Sequence, residues 1–105
     1  MTTRLKPDDR RELILAAAII MSVHPGYNYR TWTREEVADI ANVAPGLINH
    51  YFTTMDNLRD ETMRFAIRLC RADVVAQGLS VRDEIAMDAP DSLKKAAARW
   101  LVSGV

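Results

Sequence analysis

A chain of 105 residues encloses one small core and not two independent ones. With 49% hydrophobic residues it is no disordered polymer, and 14 basic side chains against 14 acidic ones leave an overall charge that neither announces nor excludes a nucleic-acid partner. The longest nearly apolar run, Leu13 to Val23, is too short for a bilayer span and has Asp8, Asp9 and Glu12 on its amino side, unlike a secretory leader, so an intracellular chain is expected; the single Cys70 excludes an intrachain disulfide and a cysteine-built metal site.

Helix-forming residues recur throughout and strand-like alternation is scarce, which predicts an all-α fold. The first helix starts near Pro7 to Asp9, where a proline and acids suit the first turn, and ends at HPG, residues 24–26. Leu13, Ala16, Ala17, Ile20 and Met21 or His24 form its expected buried stripe. YNYRTW, residues 27–32, reads as a loop that tucks a Tyr or Trp against the core. Thr33 with Glu36 forms a reciprocal capping box, opening a helix from Arg34 to Ala41. After NVAPGLINHYF, Thr54 or Asp56 caps a long amphipathic helix. Its stripe runs through Leu58, Thr62, Phe65, Leu69 and Ala72 or Asp73 to about Gln77, with Gly78 as a left-handed stop and Cys70 as a small hydrophobe within it. Ser80 and Asp83 stand at capping spacing before a short helix. Pro90 and Asp91 open a last one, with Leu93, Ala96, Ala97, Trp100 and Leu101 on one face.

The helices on either side of Asn42 have the spacing of a helix-turn-helix, whose second helix enters a DNA major groove. Asn42 tolerates the left-handed backbone such a turn wants, and Val43 plugs the angle. Ala44 is biased to extended backbone by Pro45, which suits a first helical position; without a side-chain acceptor at Ala44 the cap is weaker by about 1 kcal/mol. Ile48 and Phe52 supply a buried face. Pro45, Gly46, Asn49 and His50 point outward, flanked by Leu47 and Tyr51. Asn49 matches an adenine edge and Leu47 a thymine methyl, while His50, Tyr51 and the helix's first N–H groups suit phosphates. Spacing alone leaves open that these are merely solvent-facing residues of a small helical domain.

In order and spacing, RRELILAAA, a glycine near the end of the first helix, TREEVADIANVAPGLINHYF and the opening TTMDNL together resemble the DNA-binding domain of the TetR family of transcriptional regulators, over roughly residues 8–68. The resemblance implies a three-helix DNA-binding region over residues 1–55. Residues 56–105 would then hold a linker helix and a shortened dimerisation region, in one compact unit. It implies that residues 45–51 read the operator and that Thr33 and Arg34 contact phosphate. The family usually has Gly at Asn42, Ser or Thr at Ala44, Tyr at Asn49 and Lys at Met55. Ala44 and Met55 therefore lack two customary phosphate anchors. Thr54 and the basic arm of Arg4, Lys6, Arg10 and Arg11 would take their place, unless that arm is only a solvated terminus.

About thirty residues follow Gly78, too few to enclose a ligand pocket within one subunit, so a small-molecule inducer is not expected. Leu69, Leu93, Ala97, Trp100 and Leu101 are the expected dimer face; the alternative is that the last helix packs back on the fourth helix of its own chain. The expected function is a homodimeric repressor on a pseudo-palindromic double-stranded operator, in the cytoplasm of a bacterial, plasmid or phage-type host. The alternative is a helical adaptor that binds another regulator. No enzyme, metal or cofactor is expected, because His24 and His50 lie in separate elements with no partner at catalytic spacing.

Overall fold

Local capping chemistry sets most helix boundaries in the computed structural model, which describes residues 7–103. Those residues form α1 (Pro7–Ser22), α2 (Arg34–Ala41), α3 (Pro45–Phe52), α4 (Met55–Arg68), α5 (Ala72–Ser80), α6 (Glu84–Met87) and α7 (Asp91–Ser103), with no strand among them. The fold is all-α. No helix among the described residues is long and apolar enough to cross a membrane.

The long fourth helix expected from the sequence is two helices. Cys70 adopts φ 55°, in the left-handed region, while its N–H bonds Ile67 O at 3.0 Å and that of Arg71 bonds Ala66 O at 2.8 Å. This is a Schellman ending with cysteine where glycine is usual. Cys70 is therefore exposed at a helix break and not a half-buried hydrophobe. The same pair of bonds ends α5, where Arg82 has φ 58° and Asp83 N–H reaches Gly78 O at 2.9 Å. It also ends α2, where Asn42 has φ 57° and Val43 N–H reaches Ala38 O at 3.0 Å.

Gly78 is not a stop at all. It lies inside α5 and is buried, and a Cβ there would come within 2.6 Å of both Ala86 Cβ and Met63 Cε. Its role is close approach between α5, α4 and α6. Asp83 caps α6 by accepting from Ile85 N–H at 2.8 Å and Ala86 N–H at 3.2 Å.

Helix α1 packs against α2 and α4, so its buried face is wider than one stripe. Ile14, Leu15, Ala17, Ala18, Ile19 and Met21 are buried, whereas Leu13 and Ile20, expected inside, are exposed. The helix ends two residues before the HPG segment, where His24 N–H makes a tighter bond to Met21 O at 3.2 Å and Gly26 then takes φ 85°. Two loop aromatics seal the core as expected. Trp32 is 1% exposed and donates to Ser22 Oγ at 2.9 Å; Tyr29 is 2% exposed and donates to Asp83 Oδ2 at 2.7 Å. Burial first, and then the neighbouring Asp83 carboxylate, push the Tyr29 phenol well above its usual range. Gln77 completes the staple, accepting from Tyr29 N–H at 2.8 Å and donating to Ser22 O at 2.8 Å.

Helix α7 lies on α5. Leu93 and Ala97 are buried there, so these two residues of the expected dimer face are spent inside the chain. Leu69, Trp100 and Leu101 remain about half exposed.

Candidate nucleic-acid interface

The α2–α3 pair is assembled by short-range chemistry. Thr33 Oγ accepts from Glu36 N–H at 3.1 Å, and Glu36 Oε1 accepts from Thr33 N–H at 2.8 Å, completing the capping box. Tyr27 OH donates to the other oxygen of Glu36, lowering that carboxyl's pKa, aided by the Thr33 N–H. The turn at 42–44 follows: Asn42 left-handed, Val43 half-buried, and Ala44 extended at φ −69° and ψ 140° with no side-chain cap.

Helix α3 then separates two faces. Ile48 and Phe52 are 1% and 0% exposed and anchor it. Pro45, Gly46, Asn49 and His50 are exposed; Leu47 and Tyr51 are half-buried, and the His50 and Tyr51 rings meet edge to face with centroids 5.2 Å apart. No acidic residue lies on α3. Gly46 is informative, because a Cβ built on it meets no atom within 4 Å. Nothing among the described residues requires a glycine there, although glycine in a helix costs about 1 kcal/mol relative to alanine.

Arg11 is not a free arm cation. Its Nη1 donates to Tyr51 O at 3.1 Å, its Nη2 to Glu61 Oε2 at 2.5 Å, and its guanidinium lies 4.5 Å from the Phe52 ring centroid. It ties the carboxy end of α3 to α1 and α4, where a cation also suits the helix dipole. Glu61 is shared with Arg64; burial raises its pKa, but hydrogen bonds from Arg64 and Arg11 outweigh this and hold it below the ordinary value. Arg34 is partly exposed and pairs with Glu35 at 3.0 Å, a surface contact that a stronger anion would displace at little cost. Arg10 is half-buried with no ion pair among the described residues. Arg4 and Lys6 lie outside the described residues.

Thr54 Oγ caps α4 by accepting from Asn57 N–H at 3.1 Å, which leaves its hydroxyl hydrogen to donate outward. Asn57 Nδ2 donates to Phe52 O at 2.7 Å, a second tie from α4 to the end of α3. Between them Thr53 sits at φ 63° and ψ −59°, closed by Thr54 N–H to Phe52 O at 2.5 Å. That is a γ-turn of the rare, strained hand. Arg11, Asn57 and Thr53 thus fix the pitch of α3, and none was singled out for that by its local pattern.

No family model matches the chain, and no curated protein or solved structure is found similar to it. The geometry of α3 is what bears on function. A short helix is gripped from beneath and at its carboxy end, and presents a neutral polar face with hydrogen-bonding side chains. Among the described residues no group of His, Cys, Asp and Glu is placed to hold a metal ion. The residues after Gly78 do help line a groove of about 710 Å³, between α4 and α6, that is open to solvent and not enclosed.

Proposed function

We propose that this chain is a sequence-specific DNA-binding transcriptional regulator of the TetR type, a homodimeric repressor that places α3 of each copy in successive major grooves of a pseudo-palindromic operator. The observation that carries the reading is Gly46, an exposed glycine in the first turn of a firmly anchored helix, with no neighbour among the described residues to demand it. A backbone without a side chain at that place suits close approach of a phosphate to the helix's first N–H groups. One turn on, Asn49 offers a paired donor and acceptor to a base edge, Leu47 offers methyl groups to a thymine, and His50 and Tyr51 offer polar hydrogens to phosphates. Thr33, Arg34 and Thr54 stand at helix starts, where they would contact the same strand backbone. Arg11 acts on this surface from behind, as a positioning residue.

Gly46→Ala separates this reading from a merely solvent-facing helix. In free protein the substitution should raise thermal stability, because it relieves about 1 kcal/mol of helix cost. It should at the same time weaken binding to a selected operator in gel-shift titrations. Asn49→Ala should cost about 1–3 kcal/mol of discrimination at one base position in each half-site. A Gly46→Ala protein that is more stable and binds DNA unchanged would remove the main support.

The adaptor reading draws on the half-exposed Trp100 and Leu101, which are large apolar groups rather than DNA-contacting ones. It predicts that Asn49→Ala and His50→Ala leave promoter occupancy unchanged.

A further inference from the structure

Between the α1–α2 loop, the first turns of α4 and the start of α6 lies a recess of about 400 Å³, lined by Tyr29, Arg30, Asp56, Arg59, Asp60 and Asp83. Small-molecule sites span about 300–1,000 Å³ and are mostly apolar. This recess has that size, but charged groups wall it, so a polar occupant suits it. It draws on elements from both sides of Gly78, and the short carboxy-terminal segment does not preclude it. Asp56, Arg59 and Asp60 share one face of α4, because residues three and four apart on a helix are neighbours.

Arg59 is placed but not satisfied. Its guanidinium lies 5.6 Å from the Trp32 ring centroid, which steadies it by cation–π attraction, and its Nη1 donates to Asp56 Oδ1 at a long 3.4 Å. The other edge of the fork, Nε with Nη2, has no acceptor among the described residues, and Nε is buried. A buried donor left unmet is costly, and a guanidinium edge is the shape that binds a carboxylate through two parallel hydrogen bonds. Tyr29 and Asp83 are committed to each other at 2.7 Å, and Asp83 also caps α6. Arg30 lies close enough to the Tyr29 phenol to oppose the rise in its pKa that burial and Asp83 cause. Arg30 and Asp60 are exposed, and neither has an ion pair among the described residues.

The signs of these charges narrow the ligand. A simple anion entering the recess meets three carboxylates, and a simple organic cation meets two guanidiniums, so each is repelled by part of the lining. A bare metal ion finds no suitable group of ligands among the described residues. A molecule that carries both signs a few atoms apart is attracted by both. We propose that this recess binds a small zwitterion of the polar α-amino acid class. Its carboxylate takes the open edge of Arg59 with Arg30 beside it, and its ammonium group takes Asp60 with Asp56 at its flank. The site stands independently of any DNA contact by α3.

The test is calorimetric titration of the full chain, without DNA, with L-asparagine and L-glutamine. Each is compared with its N-acetylated form, which lacks the ammonium group, and its α-amide, which lacks the carboxylate. The free amino acids should bind, and either blocked form should bind at least about tenfold more weakly, the size expected for one hydrogen-bonded charge. Arg30→Ala, Asp60→Asn and Arg59→Lys should each weaken binding by a similar factor. The lysine keeps the charge of Arg59 and removes only its fork. Arg30 and Asp60 are exposed, so their variants keep the test open where Arg59→Lys loosens the packing on Trp32, and circular dichroism checks the fold of all three. Absence of binding by either free amino acid at millimolar concentration would overturn the site. So would equal binding of the blocked forms, or binding that Arg30→Ala and Asp60→Asn leave unchanged, which would place the ligand elsewhere.

Discussion

Thr53 and Cys70 hold backbone conformations that their side chains oppose. Thr53 is β-branched at φ 63°, and Cys70 sits at φ 55° where glycine is the unstrained choice. A left-handed residue with a Cβ costs about 1–2 kcal/mol, and part of that gain is returned when glycine loosens the unfolded chain. Thr53→Gly and Cys70→Gly should therefore each raise the unfolding free energy by about 1 kcal/mol in urea titrations. A drop in either would mean that the side chain holds its turn by a contact worth more than the strain. The two sites differ in consequence: Cys70 ends a helix far along the chain, whereas Thr53 sets the angle at which α3 passes into α4.

At the scale of the helix, α3 is short, lacks a side-chain cap and carries a glycine in its first turn, so its order comes from what grips it. Arg11 bridges Tyr51 O and Glu61, and the pair's contribution follows the titration of Glu61. Because its pKa is lowered on folding from an ordinary value of 4.5, the pair stabilises fully above that value and loses its effect as acid carries the pH through the lowered one. The stability gap between wild type and Arg11→Met should thus be widest near neutral pH and shrink as the pH falls below 4.5; a gap unchanged in acid would show that packing on Phe52, not charge, is the contribution. Helix α5 gives the opposite case, order by close approach. Gly78→Ala forces a Cβ to within 2.6 Å of Ala86 Cβ, which cannot swing away as Met63 Cε can. Destabilisation of about 1–3 kcal/mol is expected on thermal or urea unfolding, with α6 displaced. An unchanged midpoint would mean that α6 moves freely.

For the molecule as a whole, the cations expected from the sequence to contact phosphate bear on how it would hold DNA. Of these, Arg4, Lys6, Arg10 and Arg34 remain once Arg11 is committed to Glu61. A plot of log affinity against log salt should accordingly have a slope no steeper than about −4 per domain; a much steeper one would show that another surface touches the duplex. The α2–α3 unit was legible because its signals are local: Thr33 and Glu36 are three residues apart, Pro45 starts a helix wherever it can, and Ile48 with Phe52 marks the buried side. The break at Cys70 was not legible, since four helices end at residues of positive φ and none of Asn42, Thr53, Cys70 and Arg82 is a glycine. Nor was the bond from Arg11 to Glu61, fifty residues away. An amphipathic stripe likewise does not name its partner, which is why Leu93 and Ala97 turn out to face α5.

Whether α3 reads DNA sequence is decided by selecting bound duplexes from a randomised DNA pool with the full chain at moderate salt. One pseudo-palindromic sequence should be enriched, with half-sites about one helical turn, or a multiple of it, apart, and Asn49→Ala should lose its adenine preference. Recovery of no common sequence by a folded wild-type protein would contradict recognition by α3.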